Sequence, residues 1–115
     1  MTESQALTPA ERQRLAEFLG LHELTDQGAH TGLYVTGDNY CTIISFAPDL
    51  DGGQCWMVHD ALIAKGASVR TAYGRDYSSA VVSDAPAVWI REPYKLRLAL
   101  CRAALAWLDA RKEKP

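Results

Sequence analysis

The segments YCTIISF (residues 40–46), PDLDGGQCWMVHDALIAKG (48–66), SVRTAY (68–73) and YSSAVVS (77–83) decide the fold, because they read as strand, helix and hairpin in turn. The first is apolar on both faces apart from Thr42 and Ser45, which fits a central strand covered on both sides. Pro48, Asp49 and Asp51 announce a helix, since a carboxylate ahead of the first turn accepts a free backbone N–H and complements the positive pole. That helix is expected from about Gly52 to Lys65, with Gly66 closing it. At about 100° per residue, Val58, Leu62, Cys55, His59, Ile63 and Trp56 share an arc of about 160°. Trp56 is therefore expected to anchor the core, and His59 to be buried and neutral. Gly74, Arg75 and Asp76 join the last two segments in a tight turn, which makes them an antiparallel pair.

Thr8, Pro9 and Glu11 form a capping box toward the N-terminus, followed by Leu15, Phe18 and Leu19 at helical spacing and by Gly20 as a stop. Residues 21–30 read as a loop. Leu33 and Val35 alternate with Tyr34 and Thr36, and Gly37, Asp38 and Asn39 supply the turn into residues 40–46. AVWI, residues 87–90, lies between Pro86 and Pro93 and suits a short edge strand. A last helix is expected from about Tyr94 to Arg111. The fold class is α+β: an antiparallel sheet of four to five strands covered by three helices, in the order α-β-β-α-β-β-(β)-α. One domain is expected over residues 1–115, with a short flexible N-terminus (about 1–7) and C-terminal tail (about 112–115).

The 115 residues are 48% hydrophobic and 23% charged with a net charge of −2, a balance that excludes a disordered chain and a strongly basic nucleic-acid coat. Cys41, Cys55 and Cys101 form an odd set without a Cys-x-x-Cys pair, so neither a disulfide framework nor a zinc ribbon is indicated. Free thiols suit a reducing cytoplasm. With no signal peptide or membrane span evident, a cytoplasmic location is expected and no membrane partner is expected.

Cys55 and His59 lie four apart on one helix face, a spacing that can hold a metal, but two ligands do not make a site, and core packing is the favoured reading. His22, His30, Cys41 and Cys101 could join them only through the fold. No metal, no cofactor and no catalytic residue is assigned, since nucleophile elbows, phosphate loops and dinucleotide fingerprints are missing. Asp49 and Asp51 are read as caps. Residues 91–115 carry a net charge of +4 against −6 for the remainder. Arg91, Arg97 and Arg102 are the candidate ligand-binding basic face, with helix-pole compensation as the plainer reading. On the last helix Leu96, Ala99, Leu100, Ala103 and Trp107 form one apolar strip, and Leu98, Cys101, Leu105 and Leu108 a second. Either the first helix covers the second strip or a second copy does, and a homodimer through Leu98 and Leu105 is favoured.

From FAPDLDGGQCWMVHDALIAKG to YKLRLALCRAALAWLDA the chain resembles the phage ABA-sandwich domain, a group of small phage and prophage proteins similar in character to the NinX type. The resemblance lies in Phe46, Pro48, Asp49 and Asp51 ending a strand, Trp56 near the start of a helix, Lys65 and Gly66 ending it, and Leu100 to Leu105 in a final helix. It covers roughly residues 8–110. His59 departs from the pattern, where an aliphatic residue is expected. The resemblance implies helices over an antiparallel sheet, a viral or prophage origin and expression in a bacterial host cytoplasm, but no reaction. With no catalytic motif in the chain, the expected function is a noncatalytic accessory protein that binds a host protein or small ligand, with counter-defence as one setting. The alternatives are a small enzyme using His59 with Cys55 or Cys41, and a nonspecific nucleic-acid binder through the basic C-terminal helix; nucleic acid is the less favoured partner.

Overall fold

The computed structural model describes residues 6–23, 33–36 and 42–112. Helix α1 (Pro9–Leu19) begins as its capping box requires: Thr8 Oγ1 accepts from Glu11 N at 3.2 Å, and Glu11 Oε1 accepts from Thr8 N at 2.8 Å. Gly20, at φ 80°, ends it in the left-handed conformation that a side chain resists. Strands β1 (His22–Glu23), β2 (Leu33–Thr36) and β3 (Thr42–Ser45) form an antiparallel sheet, with Val35 opposite both His22 and Ile43. β1 corrects the loop expected over residues 21–30; two residues carry no alternation from which a strand could be read.

Asp51 caps helix α2 (Gly52–Ala64) by accepting from Gln54 N at 3.0 Å. Strands β4 (Val69–Tyr73), β5 (Ser78–Val82) and β6 (Val88–Ile90) form a second antiparallel sheet with β5 in the middle and β6 at an edge, as its flanking prolines suggest. Helix α3 (Leu96–Lys112) lies on β5 and also contacts α1 and α2. The class is α+β with three helices. A single sheet of four to five strands does not form among the described residues; the strands divide into two sheets of three. The second hairpin completes its pairing with β6, and the first with β1, so neither needs the other.

α3 is the centre of the core. Leu98, Ala99, Leu100, Cys101, Ala103, Ala104, Leu105 and Trp107 are all buried, against Ala80, Val82 and Ile90 of the sheet, Val58 and Leu62 of α2, and Leu15 and Ala16 of α1. This corrects the expected dimer: Leu98 and Leu105 are covered within one chain, because α1 and α2 both pack on the strip assigned to a second copy. Trp107 is the core anchor expected of it, 8% exposed and edge-on to Phe18 with ring centres 6.0 Å apart.

α3 starts two residues later than expected. Tyr94 stands at φ 64°, outside the helix, and Ser78 holds the true start by donating to Glu92 O at 2.9 Å and accepting from Lys95 N at 3.1 Å. Leu7, expected to lie in a flexible N-terminus, is buried, and its N–H donates to Asp49 Oδ2 at 3.1 Å; the rest of that segment lies outside the described residues. Among the described residues no helix is long and apolar enough to cross a membrane.

Candidate functional site

A cleft of about 260 Å³ opens where the first half of α2, strand β4 and the first turn of α3 meet. Gly52, Cys55, Trp56 and His59 line it from α2, Val69 and Thr71 from β4, and Leu96, Arg97 and Leu100 from α3. Strand alternation explains the β4 wall. Val69 and Thr71 point to the helices together with Val82 and Ala80, their partners across the pair, while Arg70 and Ala72 line the opposite face of the sheet.

α2 contributes more to the cleft, and less to the core, than its apolar arc predicts. Only Cys55, Val58 and Leu62 are buried. Trp56 is 63% exposed and the His59 side chain 30% exposed, so the expected core anchor and buried histidine both give way to residues of an open cleft. The reason is the shape of the neighbour. α2 packs on the helices α3 and α1 and only lightly on β4, and a helix–helix seam covers a narrower arc than a sheet does. Trp56 and His59 meet edge to face, ring centres 4.9 Å apart, and His59 Nδ1 lies 3.2 Å from Asp60 Oδ1.

Arg97 supplies the positive charge. A Cβ placed on Gly52 would lie 3.9 Å from its Nη1, so the guanidinium stands over the first turn of α2, where the helix pole is also positive. Among the described residues no carboxylate pairs with it. The three arginines of the candidate basic face are not gathered into one site. Arg97 lines the cleft, while Arg102, some 140° further round α3 by helical pitch, donates to Glu11 Oε2 at 3.2 Å. Arg91 is exposed in the turn before α3.

Cys55 lies on the cleft wall with Cys101 behind it, fully buried. Hydrogen bonding with Cys101 and the field of Arg97 lower the Cys55 pKa, against burial and the charge of Asp49. Cys101 is pushed far up by the same hydrogen bonding, by burial and by the charges of Cys55 and Asp49, with Arg12 opposing. Cys41, His30 and the side chain of His22 lie outside the described residues, and among those described no cluster of three metal-ligating side chains occurs.

Asp49 serves neither as cap nor as acid–base group in this cleft. Its side chain, 1% exposed, accepts from Arg12 Nε and Nη2, both at 3.1 Å, and from the Leu7 amide. The pairing partner is 37 residues away in sequence, so local spacing holds no trace of it.

Comparison of the chain with family models, curated proteins and solved structures finds no match.

Proposed function

We propose that the protein is a noncatalytic binding protein whose ligand is a small anion with a planar apolar part, held in the cleft between α2, β4 and α3. One observation carries the reading: Arg97, with no acidic partner among the described residues, shares a cavity with the exposed ring of Trp56. A guanidinium left without a carboxylate is suited to a carboxylate or phosphate brought by a ligand, and Trp56 offers an aromatic surface for the apolar part. His59 and Thr71 add hydrogen-bonding groups to walls otherwise made by Val69, Leu96 and Leu100. At about 260 Å³ the cleft suits one ring and one anionic group rather than a nucleotide.

This reading develops the small-ligand branch of the accessory-protein expectation; a phage setting rests on the sequence resemblance alone. Nucleic-acid binding through α3 has less support. Arg102 is tied to Glu11, Arg111 lies over the ring of Trp107 at 4.6 Å, and Asp109 holds Arg14 at 2.6 Å. Titration with phenyl phosphate, followed by tryptophan fluorescence and ligand-observed NMR, tests the proposal. Binding should weaken about tenfold in Arg97→Gln and in Trp56→Ala. Equal affinity in wild type and both variants, or no binding at millimolar concentration, overturns it.

A further inference from the structure

Helices α3 and α2 pack on one face of the sheet β4–β5–β6. The other face is open to water: Arg70 and Ala72 of β4 and Trp89 of β6 are all exposed there. Ala72, Ser79 and Trp89 stand side by side across the three strands, and Arg70 lies opposite Val81 in the row beside them. The small side chains leave a hollow of about 160 Å³ that Arg70 and Trp89 both line. Trp89 keeps 56% of its surface in water, and the ring of Tyr77 stands beside it, centres 5.1 Å apart and planes tilted by 40°. Gly74 secures the position of Tyr77. It lacks the positive φ of Gly20 and Gly66, so the backbone does not require glycine there, yet a Cβ on it would collide with the Tyr77 ring. Two adjoining aromatic rings held at a sheet surface and left in water are unfavourable unless a partner covers them.

Charge identifies the partner. Arg70, Arg75 in the turn between β4 and β5, and Arg91 just past β6 are all exposed, and among the described residues no carboxylate pairs with any of them. The acids nearby do not cancel them. Glu92 lies 3.9 Å from Lys95, Asp76 is in no ion pair, and Asp84 shares a second hollow with Arg70 without reaching ion-pair distance. A second copy of the chain would bring the same three cations to this face, whereas a polyanion carrying flat apolar groups matches both the charge and the rings. A duplex hides the faces of its bases; a single strand offers them. The net charge of −2 does not oppose such a ligand, because salt screens charges more than about 8 to 10 Å away. We propose that the open face of β4–β5–β6 binds single-stranded nucleic acid, with bases stacked on Trp89 and Tyr77 and phosphates drawn to Arg70, Arg75 and Arg91. The surface lies across the sheet from the α2–β4–α3 cleft, and the proposal does not depend on that cleft's ligand.

Fluorescence anisotropy of short labelled oligo(dT) and oligo(U), titrated with the protein at several salt concentrations, tests the proposal. With three phosphates neutralised, log affinity should fall against log salt with a slope of about −2, at about 0.7 per contact. An abasic strand of equal length keeps the phosphates and loses the stacking, and should bind about tenfold more weakly. Trp89→Ala should weaken oligo(dT) about tenfold and Trp89→Phe about twofold, with denaturant midpoints establishing that both variants are folded. Gly74→Ala, which pushes the Tyr77 ring aside, should weaken the strand and leave the salt slope unchanged. Arg70→Gln and Arg91→Gln should each reduce the slope by about 0.7 and weaken the abasic strand as well. Failure of both oligo(dT) and oligo(U) to bind at high micromolar concentration overturns the proposal. So does an abasic strand that binds as tightly as oligo(dT), or a slope that the arginine variants leave unchanged. A wild-type dimer in sedimentation that Trp89→Ala converts to a monomer overturns it too, because a second copy then covers the face.

Discussion

Where α1 meets α3 and the lead-in to α2, each arginine has found a carboxylate: Arg12 holds Asp49, Arg102 holds Glu11 and Arg14 holds Asp109. Around the cleft, Arg97 has none among the described residues, and Trp56 stands exposed beside it. The two regions share α2 and α3, so helix formation does not separate them. What separates them is whether polar and aromatic groups are satisfied inside the chain. A side chain whose partner is internal contributes to stability. One left facing a cavity adds little to stability and is available to a ligand.

The two tryptophans put the largest number on that contrast. Trp107 belongs to the satisfied region, packed on Phe18 and lying under the guanidinium of Arg111. Trp107→Ala should cost about 4 kcal/mol in a denaturant titration, the range for a large aromatic removed from a core. Trp56→Ala should cost less than about 1 kcal/mol, since the exposed ring loses little burial, while phenyl phosphate binding falls about tenfold. Equal losses of stability at the two positions would break the comparison.

Asp49 comes next. Asp49→Ala strands the Arg12 guanidinium and the buried Leu7 amide together, and should cost about 3 kcal/mol. Arg12 keeps a quarter of its side chain in water, which places the loss at the lower end for a broken buried pair. Adding Arg12→Ala to that variant should cost less than about 1 kcal/mol more, because the interaction is already gone. Fully additive losses in the double-mutant cycle would show that the pair is not a unit.

Local chemistry made much of this fold legible. The Thr8–Glu11 box, Gly20, the Asp51 cap and the Gly74–Asp76 turn each declare an element boundary within a few residues, and the structure has boundaries there. The divided sheet, the Asp49–Arg12 pair and the exposure of Trp56 depend on partners far along the chain. A helical wheel gives the angle of a side chain but not the width of the surface that will cover it. For α2 that surface is two helices, α3 and α1, rather than the face of a sheet, so Trp56 and His59 fall just beyond its reach. For α3 the error runs the other way: the strip with Leu98 and Leu105 looked too wide for one chain to cover, and two helices cover it. Of the candidate site, Arg97, Cys55 and His59 were legible as chemistry-bearing residues, whereas their convergence with Val69 and Thr71 required the register of β4 against β5.

The smallest expected effect lies at the entry to α3, close to where Leu96 and Arg97 turn into the cleft. Tyr94 holds φ 64° with 92% of its surface in water, so its ring contributes almost nothing to packing while its Cβ opposes the left-handed backbone. Glycine removes that opposition, worth about 1 kcal/mol, but loses part of the gain because its unfolded chain is freer. Tyr94→Gly should therefore be more stable by about 0.5 kcal/mol, and Tyr94→Val, branched at Cβ, less stable by about 1 kcal/mol. Denaturant midpoints measured at constant slope check both signs. Ser78 fixes the start of α3 independently of the Tyr94 ring, so phenyl phosphate affinity should be unchanged in Tyr94→Gly. If Tyr94→Gly gains stability and loses affinity together, the strained turn belongs to the cleft, and the line between the two regions runs through residue 94 rather than beyond it.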